Sequence, residues 1–197
     1  MAPLAARRGC GWVWHVVSVD LLNHQPTLVG ALVRLEPTGP EHFEGLWPLF
    51  SVGEEQGPLA DFARKRARAG LEGARLRQDR ADWAIVTVEG DDVVGEAVLM
   101  DFDEDAESMS YRIALVGPEV FNRGYGTEST VLVRDFAFGA LGLHRLALEV
   151  TSSNTAAIRV YTRAGFVLEG VRRQAVRLDG AWRDVHDMAL LDSDPRP

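Results

Sequence analysis

Over Arg145–Thr151 the chain alternates: Leu146, Leu148 and Val150 fall on one side of an extended backbone, Ala147 and Glu149 on the other. That period of two predicts a strand. Reading outward from it, residues 28–35 form a first strand, stopped by Pro37, and 41–50 a short helix behind the Thr38-Gly39-Pro40 start signal. Residues 59–76, rich in Ala, Arg, Leu and Lys, are helical by composition. Segments 83–88 and 93–100 are β-rich and joined by Glu89-Gly90-Asp91-Asp92, a hairpin signal. An acidic loop with Asp101, Asp103, Glu104, Asp105 and Glu107 follows, then a strand over 108–116 ended by Gly117-Pro118. The punctuation Asn122-Arg123-Gly124-Tyr125-Gly126 opens a helix over 127–141. Asn154 caps a helix to Ala164, and Gly165 stands where a left-handed C-cap is expected. Strands at 166–178 and 182–191 close the chain as a hairpin around Asp179-Gly180. The order β-α-α-β-β-β-α-β-α-β-β predicts an α/β fold: a mixed, mostly antiparallel sheet flanked by helices.

Composition narrows this picture without redirecting it. The chain has 197 residues, enough for one well-buried domain and few for two, and its 46% hydrophobic content is that of a soluble globular protein. A formal net charge of −8 argues against a general nucleic-acid partner and suits a cationic substrate. The single cysteine, Cys10, cannot form an internal disulfide, so a reducing, cytoplasmic setting is expected. No run approaches the roughly 20 apolar residues of a membrane span, so no membrane is implied. The five histidines lack metal-ligand spacing, and no metal is expected. Residues 1–26 read as an N-terminal extension, either disordered or a dimer-contacting arm carrying Trp12 and Trp14; 27–192 are the domain and 193–197 a tail. Lysines and arginines cluster between Asp61 and Arg80, either as a solvated helix face or as an anion-binding patch.

Two glycines at the entry to a helix, in Arg123-Gly124-Tyr125-Gly126-Thr127, let backbone approach a ligand closely. The free amides of the first turn then face it with the positive end of the helix dipole. A diphosphate fits that arrangement, and so does a plain helix-entry turn. A dinucleotide-binding fold is the rival, with Glu149 as its ribose acid. It fails because Ser129 occupies the third glycine position, a long stretch separates strand from glycines, and too little chain follows for a second half.

From about residue 28 to 191 the chain resembles a GNAT acetyltransferase, nearest the RimJ/RimL-like, ribosomal-protein-alanine acetyltransferase branch. The likeness is carried by Gly117-Pro118-Glu119, Arg123-Gly124-Tyr125-Gly126-Thr127-Glu128, Ala137-Phe138, Leu141-Gly142-Leu143-His144-Arg145, the run from Leu148 through Ile158, and Tyr161-Thr162-Arg163-Ala164-Gly165-Phe166. The resemblance implies the GNAT acyl-CoA N-acyltransferase fold, acetyl-CoA as cosubstrate and an amine acceptor: a protein N-terminus, a polyamine or an aminoglycoside. It also makes a homodimer plausible. It implies that Asn122, Arg123, Gly124, Tyr125, Gly126 and Thr127 grip the diphosphate. Asn122 and Arg123 depart from the commonest family choices there. Leu115 and Val116 would pair with the pantetheine arm through backbone.

Direct attack on a thioester needs a deprotonated amine and a protonated leaving thiolate. Glu149, beside the small Ala147, is the candidate base, a role the family gives to a glutamate in the same Leu-Glu-Val context. The alternative is a charge on a solvated strand face. Tyr161 is the candidate acid, or else a buried aromatic anchor for its helix. Asn154 caps its helix and is also a candidate contact to the cofactor. Lacking a Gly-x-Ser-x-Gly elbow, the chain is not expected to form an acyl-serine. The competing function is an acyl-CoA-binding sensor of the same fold that does not turn over.

Overall fold

The computed structural model describes residues 6–7, 12–13, 17–51, 58–74 and 79–196. Cys10, Trp14, Arg75 and Arg77 lie outside them. Two short strands, β1 (Ala6–Arg7) and β2 (Trp12–Val13), pair antiparallel and precede one helical turn, α1 (Asp20–Asn23). The main sheet starts with β3 (Leu28–Val29) and β4 (Val33–Pro37). Helices α2 (Phe43–Phe50) and α3 (Pro58–Ala74) lead to β5 (Ala81–Thr87), β6 (Val93–Asp103) and β7 (Ser108–Leu115). Helix α4 (Tyr125–Phe136) crosses to β8 (Arg145–Thr151), and α5 (Thr155–Arg163) leads to the hairpin β9 (Val167–Leu178) and β10 (Ala181–Leu191). The eight strands lie in the order β3-β4-β5-β6-β7-β8-β10-β9, antiparallel throughout except for the pair β7–β8.

Sequence explains why the sheet is covered on both sides. All seven residues of β5 are buried. Trp83 and Ile85 face a large core shared with α4 and α5, while Ala84 and Val86 face a smaller one with Phe43, Leu46 and Leu71. A strand with two dry faces loses the alternation of a half-exposed one. In β8, by contrast, Leu146, Leu148 and Val150 are buried while Glu149 is exposed, as the period of two requires. Helix α3 lies against α2 through the Arg64 guanidinium, which sits 4.8 Å from the Trp47 ring centroid and donates to Glu44 at 2.6 and 2.8 Å. Arg64 and Arg68 both lie over Phe43, so these two cations serve a helix contact as well as a solvated face.

Four expectations need correction. The single strand over 28–35 is two strands, broken at residues 30–32 by a turn in which Gly30 N–H donates to Val33 O at 2.8 Å. Asp101 and Asp103, expected in an acidic loop, belong to β6, which continues past a bulge between Met100 and Asp103. Helix α4 starts at Tyr125, two residues before the expected start at 127, because left-handed Gly124 (φ 90°) is its N-cap; past Phe136 it widens into a π-type turn over Ala137–Leu141. Residues 17–26, read as part of an outlying extension, are built into the fold. Leu22 is fully buried in the main core, Ser18 N–H donates to Leu141 O at 2.9 Å, and Trp83 Nε1 donates to Pro26 O at 2.9 Å. Among the described residues no helix is long and apolar enough to cross a membrane.

Candidate active site

The parallel pair β7–β8 holds together for three positions only: Ser108 opposite Arg145, Met109 opposite Leu146 and Ser110 opposite Ala147. Beyond Ser110 and Ala147 the strands part. Residues 111–115 keep β6 as their partner, and Leu148–Thr151 keep β10. The gap leaves one backbone edge of β7, running to Leu115 and Val116, without a strand beside it. A cavity of about 500 Å³ opens there, within the range of small-molecule sites. Tyr111, Leu148 and Met188 line it from the helix-covered face, and Ala147, Glu149 and Asp187 from the other.

The glycine turn stands at the head of this gap. Asn122 (φ 59°) and Gly124 (φ 90°) both adopt left-handed backbone, which turns the chain sharply into α4. Asn122 and Arg123 are exposed, and Arg123 lies 5.9 Å from the Tyr125 ring centroid. Gly126 approaches β7 closely: a Cβ on it would sit 3.8 Å from Leu115 Cδ1. The turn therefore adjoins the free edge of β7, with Thr127 in the same first helical turn. An anion at that turn would meet helix-start amides and Arg123.

Tyr161 enters from α5. Its ring lies edge-on to Tyr111 at 6.4 Å and tilted to Phe166 at 5.9 Å, beside the position where β7 and β8 part. Three contacts fix it. Asn154 Oδ1 accepts from Ala157 N–H at 3.1 Å and caps the helix; Arg134 Nη1 donates to Ala164 O at 3.0 Å; Phe166 N–H donates to Tyr161 O at 3.0 Å. Gly165, at φ 103°, supplies the left-handed exit expected of it. Burial pushes the Tyr161 phenol up to about 12, so it stays protonated at neutral pH. Tyr111 is held differently: its hydroxyl pairs with Thr130 Oγ1 at 3.1 Å, and Thr130 Oγ1 donates to Gly126 O at 2.7 Å. A hydroxyl chain thus links the gap to the glycine turn.

Glu149 reaches the gap from the opposite face, two residues past the last β7–β8 pair, with its side chain 66% exposed. It is ion-paired with Arg172 of β9, whose Nε also lies 3.1 Å from Asp187 Oδ1. Glu149 thus lines the cavity directly, whereas Tyr161 lies on the helix-covered side, against the cavity-lining Tyr111. Asn154 is exposed and its Oδ1 is engaged in capping. Sequence reasoning missed Arg172, Tyr111 and Thr130, whose roles depend on cross-strand and strand–helix contacts with no local signature.

A second cavity, of about 420 Å³, lies away from the gap near α1 and β4. Its His42 is committed to structure: Nδ1 accepts from Gly39 N–H at 3.1 Å, and Nε2 meets Glu36 at 3.0 Å. Arg34 and His42 together hold the Glu36 carboxyl below its ordinary range. Among the described residues no group of three or more His, Cys, Asp or Glu is placed to hold a metal ion.

Comparison with known proteins agrees with this geometry. The profile of the Acetyltransferase (GNAT) domain matches residues 33–167. Probable N-acetyltransferase YjcK of Bacillus subtilis is 31% identical over 121 residues, 61% of this chain and 67% of that protein. Spermidine N(1)-acetyltransferase of Vibrio cholerae is 28% identical over 101 residues, 51% of this chain and 58% of that enzyme. A GCN5-related N-acetyltransferase from Brucella melitensis superposes with a TM-score of 0.66 at 27% identity, covering 86% of this chain and 80% of the other.

Proposed function

The chain belongs to the GNAT acetyltransferase family, and from that premise we propose that it moves the acetyl group of acetyl-CoA onto a primary amine by direct attack. The observation that carries this reading is the parting of β7 and β8 after Ser110 and Ala147, with the α4 glycine turn at its head. In this reading the amides of residues 124–127, helped by Asn122 and Arg123, bind the diphosphate. The pantetheine arm runs along the free edge of β7 at Leu115 and Val116 as an added strand. Asn154, beside the gap at the start of α5, is a further candidate contact.

The amine arrives on the Glu149 side. An alkylammonium has a pKa near 10 and must lose a proton before attack. Glu149 accepts that proton, directly or through water, once the substrate cation competes with Arg172 for its carboxylate. The amine nitrogen bonds to the thioester carbon and gives its second proton to water, the tetrahedral intermediate collapses, and the C–S bond breaks. Tyr161 donates its phenolic proton to the departing thiolate and recovers one from solvent, leaving an amide and CoA. Holding both reactants in the gap supplies most of the acceleration.

The acceptor we favour is a polyamine-like cation. The cavity is lined by Asp101, Glu149, Glu169 and Asp187 against Arg112 and Arg145, an acidic excess even though Arg145 pairs with Glu169 and Arg172 with Glu149 and Asp187, and the Vibrio cholerae relative is named for spermidine. A protein N-terminus, the acceptor of the RimJ/RimL-like branch, is the second reading, favoured by Glu149 in its Leu-Glu-Val setting. Steady-state acetyl transfer to a panel of diamines, polyamines and peptides tests both. Tyr161→Phe should lower turnover roughly 100-fold while leaving CoA affinity within about twofold. Because the phenol titrates near 12, wild-type kcat should show no falling limb below pH 10. A chain that binds acetyl-CoA yet acetylates no amine would be a sensor.

A further inference from the structure

Glu128, in the first turn of α4, does something its position in the helix does not explain. Its carboxylate reaches across to the turn between β3 and β4 and accepts three backbone hydrogen bonds: from Ala31 N–H at Oε1, and from Leu32 and Val33 N–H at Oε2, each at 2.8 Å. The turn is shaped for it. A Cβ on Gly30 would fall 2.5 Å from Glu128 Cδ and 2.6 Å from Oε2, so a side chain there would push the carboxylate away. From the other partner, a Cβ on Gly124 would fall 2.9 Å from Leu32 Cδ1. Residues 30–33 and the start of α4 therefore interlock at two points, the carboxylate in its amide cradle and Leu32 against Gly124.

We propose that Glu128 is a positioning residue for the cosubstrate: it anchors the glycine turn to the β3–β4 turn and so holds the helix-start amides where the diphosphate binds. This rests on the reading that the turn grips a diphosphate. Two physical effects converge. A carboxylate one turn into the helix would repel a bound diphosphate if it swung toward it; three amide donors fix its direction and offset its charge. The left-handed Gly124 turn is exposed, and a tether from the sheet limits the positions its amides can adopt before the ligand arrives, so less order must be imposed on binding. Glu128 bonds no reacting atom, so its loss should appear in cosubstrate affinity and not in chemistry.

The test is CoA titration calorimetry alongside steady-state kinetics on the full chain. Glu128→Ala should raise the CoA Kd and the acetyl-CoA KM by about tenfold, the scale of one charge-assisted bond. Turnover at saturating acetyl-CoA and the KM of the amine should stay within about twofold. Glu128→Gln, which keeps one acceptor oxygen, should fall between wild type and alanine. Gly30→Ala, which displaces the carboxylate without removing it, should shift CoA affinity in the same direction. Should the alanine variant not fold, the glutamine and Gly30 variants decide alone. Wild-type CoA affinity in these variants, or a drop in turnover with CoA affinity intact, overturns the proposal. Failure of the wild-type protein itself to bind CoA would instead overturn the diphosphate reading and the proposal with it.

Discussion

Glu96 shows how one buried charge can be both paired and uncomfortable. It is 7% exposed, on the face of β6 opposite Ala84 and Ala114, with Arg112 Nη2 2.8 Å from its carboxylate. Burial raises its pKa, and nearby Asp82 adds to that, more than Arg112 and Arg80 lower it. With the folded pKa above the unfolded one, the group's favourable contribution is complete below the ordinary carboxylate range and is lost as pH rises through the folded value. Once ionised, the carboxylate is thus less comfortable in the fold than in the unfolded chain. Arg112 is half exposed, so water can solvate it if its partner becomes neutral. Relative to wild type, Glu96→Gln should therefore be more stable at pH 7 than at pH 4. Urea titrations at the two pH values measure this, and a variant relatively less stable at pH 7 than at pH 4 would contradict the raised pKa.

Local chemistry made some residues legible in sequence and left others out of view. Gly165 and Asn154 announce themselves, since a left-handed exit and a side-chain cap are decided within four residues of chain. Glu149 and Tyr161 could be singled out by alternation, helix position and family likeness; Glu149 is on the exposed face of β8, and Tyr161 packs against Tyr111 on the helix-covered face. Glu128 could not be read beyond its place in a motif. Its three donors are more than 90 residues away in sequence. The one available clue was Gly30 inside a strand-like run, which marks a turn or a close approach without naming what approaches.

Among the elements, α4 is the one whose start matters most. Its N-cap, Gly124, combines a left-handed φ of 90° with contact against Leu32, and both oppose a side chain. Gly124→Ala should cost about 1–2 kcal/mol of stability from backbone strain alone. Because the same turn is the proposed diphosphate seat, CoA affinity should fall in parallel. Denaturation and calorimetry on one preparation measure both, and a destabilised variant with unchanged CoA affinity would separate the turn from the ligand. The boundaries missed from sequence share a cause. Helix α4 began early because its cap is a glycine without a capping side chain, and the strand over 28–35 was divided by a carboxylate from another element. Strand β6 outran its hydrophobic pattern because pairing with β7 resumes beyond the bulge, at Asp103 opposite Ser108.

At the scale of the whole molecule, one sheet separates two compartments. Helices α4 and α5 cover one face with the large core and present Tyr161, and α2 and α3 cover part of the other with the smaller core. The face carrying Glu149 stays open around β8 and β10. Element order predicted the α/β architecture and its mostly antiparallel sheet, because hairpins and one helix crossover leave few ways to arrange the strands. What no pattern in the chain revealed is how briefly β7 and β8 stay paired, since each strand is satisfied by its outer neighbour and reads as an ordinary strand. On that opening the account depends. A crystal structure of the CoA complex tests it directly. The diphosphate should lie within hydrogen-bond distance of the amides of residues 124–127, and the pantetheine arm should bond to backbone between residues 111 and 116. CoA bound elsewhere, with β7 and β8 closed on each other past Ser110 and Ala147, would contradict it.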